Sequence, residues 1–265
     1  MISKIKHIIL ISILLTIALS ATAKDMESGY HFTGLIGWSH SMDSNLKIHR
    51  DGVESYTING SYSSYPFRDY PYYSFRLEKW TENKAYGIEL IHHKVYLRNP
   101  QNSLESLSIS DGYNFIMFNK TTQIDTRKFL RLGAGIAMAH PDVKFEGQER
   151  FRKNDTSLFG MGHYFAGPGV QVAYEFWPYE TKRNFISMET KLTLSYIQFP
   201  IEENRKSFGS MTNIAVHFLI GWGSKPLPKH ASKSEKALFL SPLIFPVLSD
   251  ALLFHTLDRL WYAHQ

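Results

Sequence analysis

Five histidines fall where alternating segments of this chain end: His40, His92, His93, His140 and His163. An imidazole beside a carboxylate can hold a divalent metal or relay a proton near neutral pH. Asp142, Lys94 and Tyr164 stand close by in the sequence. No fixed ligand spacing joins them, and histidine is equally suited to a wet interface. A second set is charged: Arg76, Arg131 and Lys191 with Glu78, Glu89, Glu175 and Glu189. All seven share one parity within their segments, hence one face of a sheet. Paired carboxylates can do acid–base work; the plainer reading is an interior of neutralising ion pairs. Hydrolase signatures (Gly-x-Ser-x-Gly, His-Glu-x-x-His, a phosphate loop) are absent. Ser39 with His40, or Ser157 with His163, would be the only Ser–His pairs for a lipid hydrolase.

The elements that must carry these residues show an apolar repeat of two over eight segments. The first, Gly29 to Ser41, sets Tyr30, Phe32, Gly34, Ile36 and Trp38 against His31, Thr33, Leu35, Gly37 and Ser39. In the second, Tyr72 to Trp80, Tyr73, Phe75 and Leu77 oppose Ser74, Arg76 and Glu78. The third alternates Tyr86, Ile88 and Leu90 with Gly87, Glu89 and Ile91, ending at His92-His93-Lys94. The fourth, Leu107 to Phe118, is read with Ile109, Tyr113, Phe115 and Met117 outward. Segments five to eight are Phe129–His140, His163–Trp177, Phe185–Ile197 and Thr212–Trp222, with Leu132, Val172, Leu192 and Phe218 among their outward residues.

An apolar face fringed with Tyr, Trp and Phe, opposite a small and charged face, is the pattern of a sheet whose outside meets lipid. The expected fold is all-β: an eight-stranded antiparallel up-and-down transmembrane barrel with a short C-terminal helical tail. A water-soluble lipocalin-like barrel also has eight strands, but it would bury the apolar face. Short connections after the second, fourth and sixth segments alternate with longer ones, as periplasmic turns alternate with external loops. By parity His93 and His163 point inward, and His40, His92 and His140 lie in the lipid-side register. Eight strands leave room only for side chains, which argues against an open channel.

The ends agree with export. Lys4, Lys6 and His7 precede the apolar run Ile8 to Leu19, and Ser20-Ala21-Thr22-Ala23 offers a signal-peptidase site. Residues 1–23 therefore read as a signal peptide, 24–223 as the barrel and 224–265 as a linker and amphipathic tail. Within that tail, Ser249 can cap a helix from Asp250 to Ala263, lying on the inner leaflet or beneath the barrel. The chain has no cysteine, which excludes disulfides, thiolate catalysis and lipoprotein processing. Its formal charge of +5 falls to about +3 without the signal, too weak to argue for nucleic acid. Loop Met42 to Pro71, with Tyr56, Tyr62, Tyr65, Arg68, Asp69 and Tyr70, offers a surface for host or envelope partners.

Three stretches carry a likeness: Gly87-Ile88-Glu89-Leu90-Ile91-His92-His93-Lys94-Val95-Tyr96, Gly133-Ala134-Gly135-Ile136-Ala137-Met138-Ala139-His140-Pro141-Asp142-Val143 and Tyr164-Phe165-Ala166-Gly167-Pro168-Gly169-Val170-Gln171. Together they resemble small outer-membrane barrels of the OmpA-like superfamily, and more particularly the lipid A oxidase-like group. That resemblance implies a monomeric barrel among outer-membrane lipid and lipopolysaccharide. It also implies oxidation of the proximal glucosamine of lipid A, with molecular oxygen as co-substrate. Its motif positions make His93, Lys94, His140 and Asp142 the candidate catalytic residues, with a divalent metal left open. The glycines of these stretches have a packing explanation of their own, as room for inward neighbours. A non-enzymatic structural or adhesive barrel is the alternative.

Overall fold

The computed structural model describes residues 26–65, 72–145, 151–152, 164–202, 206–226, 234, 236 and 239–242. The signal peptide, His163, Ser157, loop residues 66–71 and the expected helix 250–263 lie outside the described residues. Thirteen strands form one sheet. They are β1 Gly29–Ser41, β2 Ser44–His49, β3 Tyr56–Gly60, β4 Tyr62–Ser63, β5 Tyr73–Thr81, β6 Lys84–Leu97 and β7 Leu104–Asp125. Then follow β8 Lys128–Ala139, β9 Asp142–Phe145, β10 Phe151–Arg152, β11 Tyr164–Glu180, β12 Asn184–Pro200 and β13 Phe208–Ser224.

Eight of these close a ring, β1-β5-β6-β7-β8-β11-β12-β13 and back to β1, every pair antiparallel. They are the eight segments of period-two alternation. Followed strand to strand, the pairing runs Tyr30, Lys79, Tyr86, Lys120, Leu132, Val172, Leu192, Val216 and returns at His40. The circuit thus comes back to β1 ten residues further along. Such a stagger tilts the strands and closes the sheet with no free edge. One end carries both chain ends of the ring and the tight turns, including Glu82-Asn83 and Thr126-Arg127. At the other end β6 and β7 rise past the ring as a pair reaching Tyr96–Ser108. There β2, β3, β4, β9 and β10 turn the long loops into added strands.

The two faces differ as a lipid-facing sheet requires. Tyr86 and Phe118 are 64 % exposed and Leu132 is 55 % exposed, whereas Arg131, next in sequence to Leu132, is fully buried. Seven strands keep the faces read from their alternation. The fourth ring strand, β7, is reversed: Ile109, Tyr113, Phe115 and Met117 are buried inside, and Phe118 points out. Both of its faces are apolar over this stretch, so alternation alone could not orient it, and a one-residue slip exchanges the faces. Polar partners decide. With this register Asn119 Nδ2 donates to Glu89 at 3.0 Å, and Thr121 donates its hydroxyl to Glu78.

Among the described residues, buried side chains occupy the lumen at three levels. Near the turns Trp80, Ala85, Phe129, Trp177 and Phe185 make an aromatic plug. Above it lies the ionic set. Toward the far end Leu46, Ile48, Ile58, Val143, Phe145, Phe199 and Met211 belong to one apolar cluster beneath the added strands. A planar bilayer carrying this protein should therefore show no single-channel steps; stable open currents would contradict the filled interior.

Candidate functional site

The seven interior charges meet as the sequence pairing implied. Arg76 and Arg131 both fork between Glu175 and Glu189: Arg76 donates to their Oε2 atoms at 2.7 Å each, and Arg131 at 2.5 Å each. Glu78 spans the two guanidinium Nε groups at 3.2 Å. Lys191 Nζ lies 2.5 Å from Glu89 and 3.0 Å from Glu189. Ser74 and Gln171 also donate to Glu89, and Ser187 and the Trp177 indole to Glu175. Three cations against four carboxylates, all with partners, make a rigid crossbrace joining β5, β6, β8, β11 and β12. Gly133 leaves the space it needs, since a Cβ there would stand 2.1 Å from Asn119 Oδ1.

His93 lies one level up and is fully buried in the lumen. The hydroxyls of Ser39 and Ser41 sit 3.0 and 3.1 Å from its two ring nitrogens. Its ring packs edge-on to Tyr113 and His217, with centroids 5.4 and 5.3 Å away. Lys94 falls where the β6–β7 register shifts, and its ammonium donates to the Tyr65 carbonyl at 2.9 Å. His140 follows β8, and its backbone N–H donates to the Gly112 carbonyl at 3.0 Å. Asp142 opens β9, opposite Ser108 of β7. All four candidates thus lie near the external half of β7, on β6, just after β8 and on β9. Among the described residues, no group of three or more His, Asp or Glu side chains is placed to hold a metal ion.

Sequence reading missed a constellation on the outer wall. Tyr73, His92 and Asn114 stand side by side on β5, β6 and β7 in one pairing row. Tyr73 stacks on the His92 imidazole at 4.9 Å, and His92 Nδ1–H donates to Asn114 Oδ1 at 2.8 Å. The row continues to Met138, within the lipid-facing band. With β7 reversed, Asn114 was assigned to the lumen. Correct parity on that one strand would have put it beside His92.

No family model matches the chain, and no curated protein matches it. Several solved structures do. The outer membrane protein OprG from Pseudomonas aeruginosa shares 11 % identity over 78 % of this chain and 100 % of its own, with a TM-score of 0.41. The outer membrane protein AlkL in DMPC bilayers shares 11 % identity over 81 % and 99 %, with a TM-score of 0.43. Ail, the attachment invasion locus protein of Yersinia pestis, shares 8 % identity over 75 % and 99 %, with a TM-score of 0.38. Likeness at this level concerns the fold alone. The closed ring, its lipid-facing wall and its ionic interior are the chain's own grounds for an outer-membrane barrel.

Proposed function

We propose that this barrel acts on lipid A at the outer-leaflet rim, as the resemblance to the lipid A oxidase-like group implies. The observation that carries the reading is the Tyr73–His92–Asn114 row on the lipid-facing wall. Polar side chains in the outward register of a lipid-facing wall are costly and mark functional sites by default, and His92, 5 % exposed, is set into that wall between its two neighbours. A filled lumen leaves the outer wall and the external rim as the surfaces where a lipid can be met. His93, Lys94, His140 and Asp142 lie behind and above that row, and we assign them to the same site. Residues 1–23 act as the export signal in this reading.

The test is mass spectrometry of lipid A from aerobic cells with and without the protein. Molecular oxygen takes two hydrogens from the hemiacetal carbon and its hydroxyl to give a lactone and hydrogen peroxide, and water opens the lactone to the acid, a net gain of about 16 mass units. His92→Ala and His140→Ala should abolish the gain while the barrel keeps its heat-modifiable migration. Lipid A of unchanged mass in the producing cells would sink the reading.

A second reading, a non-enzymatic interaction platform, is favoured by the ordered external cap. The β2–β3 hairpin is paired to β13 and contributes Leu46, Ile48 and Ile58 to the apolar cluster. A rigid scaffold of that kind presents a defined surface to an envelope or host partner. Replacing residues 44–60 by a short turn should then abolish attachment of producing cells while leaving lipid A mass untouched.

A further inference from the structure

The outer wall is covered at the seam where β1 meets β13. Ile36 and Ile220 are cross-strand partners there and both face outward. Ile220 is 47 % exposed, whereas Ile36 is only 8 % exposed. Gly34, two residues earlier in the same outward register, is buried as well. The cover is the chain's own C-terminal segment. A Cβ at Gly34 would lie 2.1 Å from the Pro242 carbonyl oxygen and 3.4 Å from its Cα. Ser224, the last residue of β13, donates its hydroxyl to the Phe239 carbonyl at 2.7 Å.

The chain therefore turns back after β13. Arg183 donates to the Pro226 carbonyl at 3.0 Å, and Pro226 lies against Gly29 at the turn end of β1. Between Phe239, beside Ser224, and Pro242, beside Gly34, the described segment lies on the outside of the barrel. Gly34 pairs with Trp222 on one side and Phe75 on the other, so Pro242 sits within the apolar wall. A backbone at that depth needs internal hydrogen bonds. The Leu240 N–H donates to the Lys236 carbonyl at 3.3 Å, one helical turn back. Proline at position 242 has no N–H to satisfy. The residues that follow, Leu243-Ile244-Phe245-Pro246-Val247-Leu248, carry no charge.

We propose that residues 239–242 clasp the β1–β13 seam from the lipid side, with Gly34 as the notch that admits them. This seam closes the ring between its first and last strands, the most distant pairing in the sequence, so a clasp there acts where loop closure is costliest.

The chain lacks cysteine, so single cysteines report cleanly. In proteoliposomes opened to both faces, Ser241→Cys should react with a water-soluble maleimide roughly tenfold slower than Ser234→Cys, because a thiol in apolar surroundings keeps its proton. Adding Gly34→Leu should bring position 241 up to the rate at 234, with the heat-modifiable band retained. If that variant fails to fold, Gly34→Ala takes its place, as one methyl meets the same carbonyl. Equal rates at 241 and 234 in the native background would overturn the proposal. So would slow labelling that the Gly34 substitutions leave unchanged.

Discussion

Arg131→Met should cost the barrel about 3–5 kcal/mol of folding stability, because it strands buried carboxylates without their main partner. Arg131 reaches Glu78, Glu175 and Glu189, and none of the four is accessible to solvent beyond a few per cent. Arg76 remains bonded to the same three carboxylates, so the loss should fall short of complete unfolding. Urea titration of the refolded protein in lipid vesicles would measure it. Adding Glu189→Gln to Arg131→Met should recover part of the loss, since one stranded negative charge is removed with its partner gone; groups in one network do not act additively. A loss below the range expected for exposed ion pairs, about 1 kcal/mol, would mean that water reaches these groups.

Leu192→Arg should destabilise the protein by about 2–4 kcal/mol in a bilayer, the range for a cation near mid-depth on a barrel's lipid face. Leu192 is 41 % exposed and lies in the pairing row between Val172 and Val216. The neighbouring Thr193 faces the lumen, where its hydroxyl lies 2.8 Å from His217 Nε2. Thr193→Val keeps the shape and removes only that bond, so its cost should be about 1 kcal/mol. A neutral Leu192→Arg would overturn the assignment of this face to lipid.

Most of the wall was legible because alternation has a period of two and the chemistry of its two faces differs sharply. Arg76, Glu89, Arg131, Glu175 and Lys191 each mark the inside of their strand without ambiguity. The exception is instructive. On β7 Tyr113, Phe115 and Met117 fill the upper lumen beside the apolar cap, so that strand is greasy on both sides where it passes the cap. Its orientation follows from which residue Glu89 and Glu78 can reach on the neighbouring strand, a fact of pairing. Because Asn114 was turned inward with the rest of β7, the outward His92–Asn114 contact stayed hidden. The rim histidines were visible as residues, yet His93 proves to be held by Ser39 and Ser41 from β1, across the lumen.

What the amino-acid sequence alone determined is the number of crossing strands, which side of nearly all of them is wet, and the charges inside. Those properties are local: each depends on the transfer preference of a side chain and the parity of its neighbours. Only the folded barrel decided the ten-residue stagger, the two arginines sharing Glu175 and Glu189, the placement of β7 and the return of the C-terminal segment to Gly34. Each of these joins residues far apart in the chain. Such contacts are settled by closure of the ring and by which polar atoms it leaves within reach, and no short stretch of sequence encodes either.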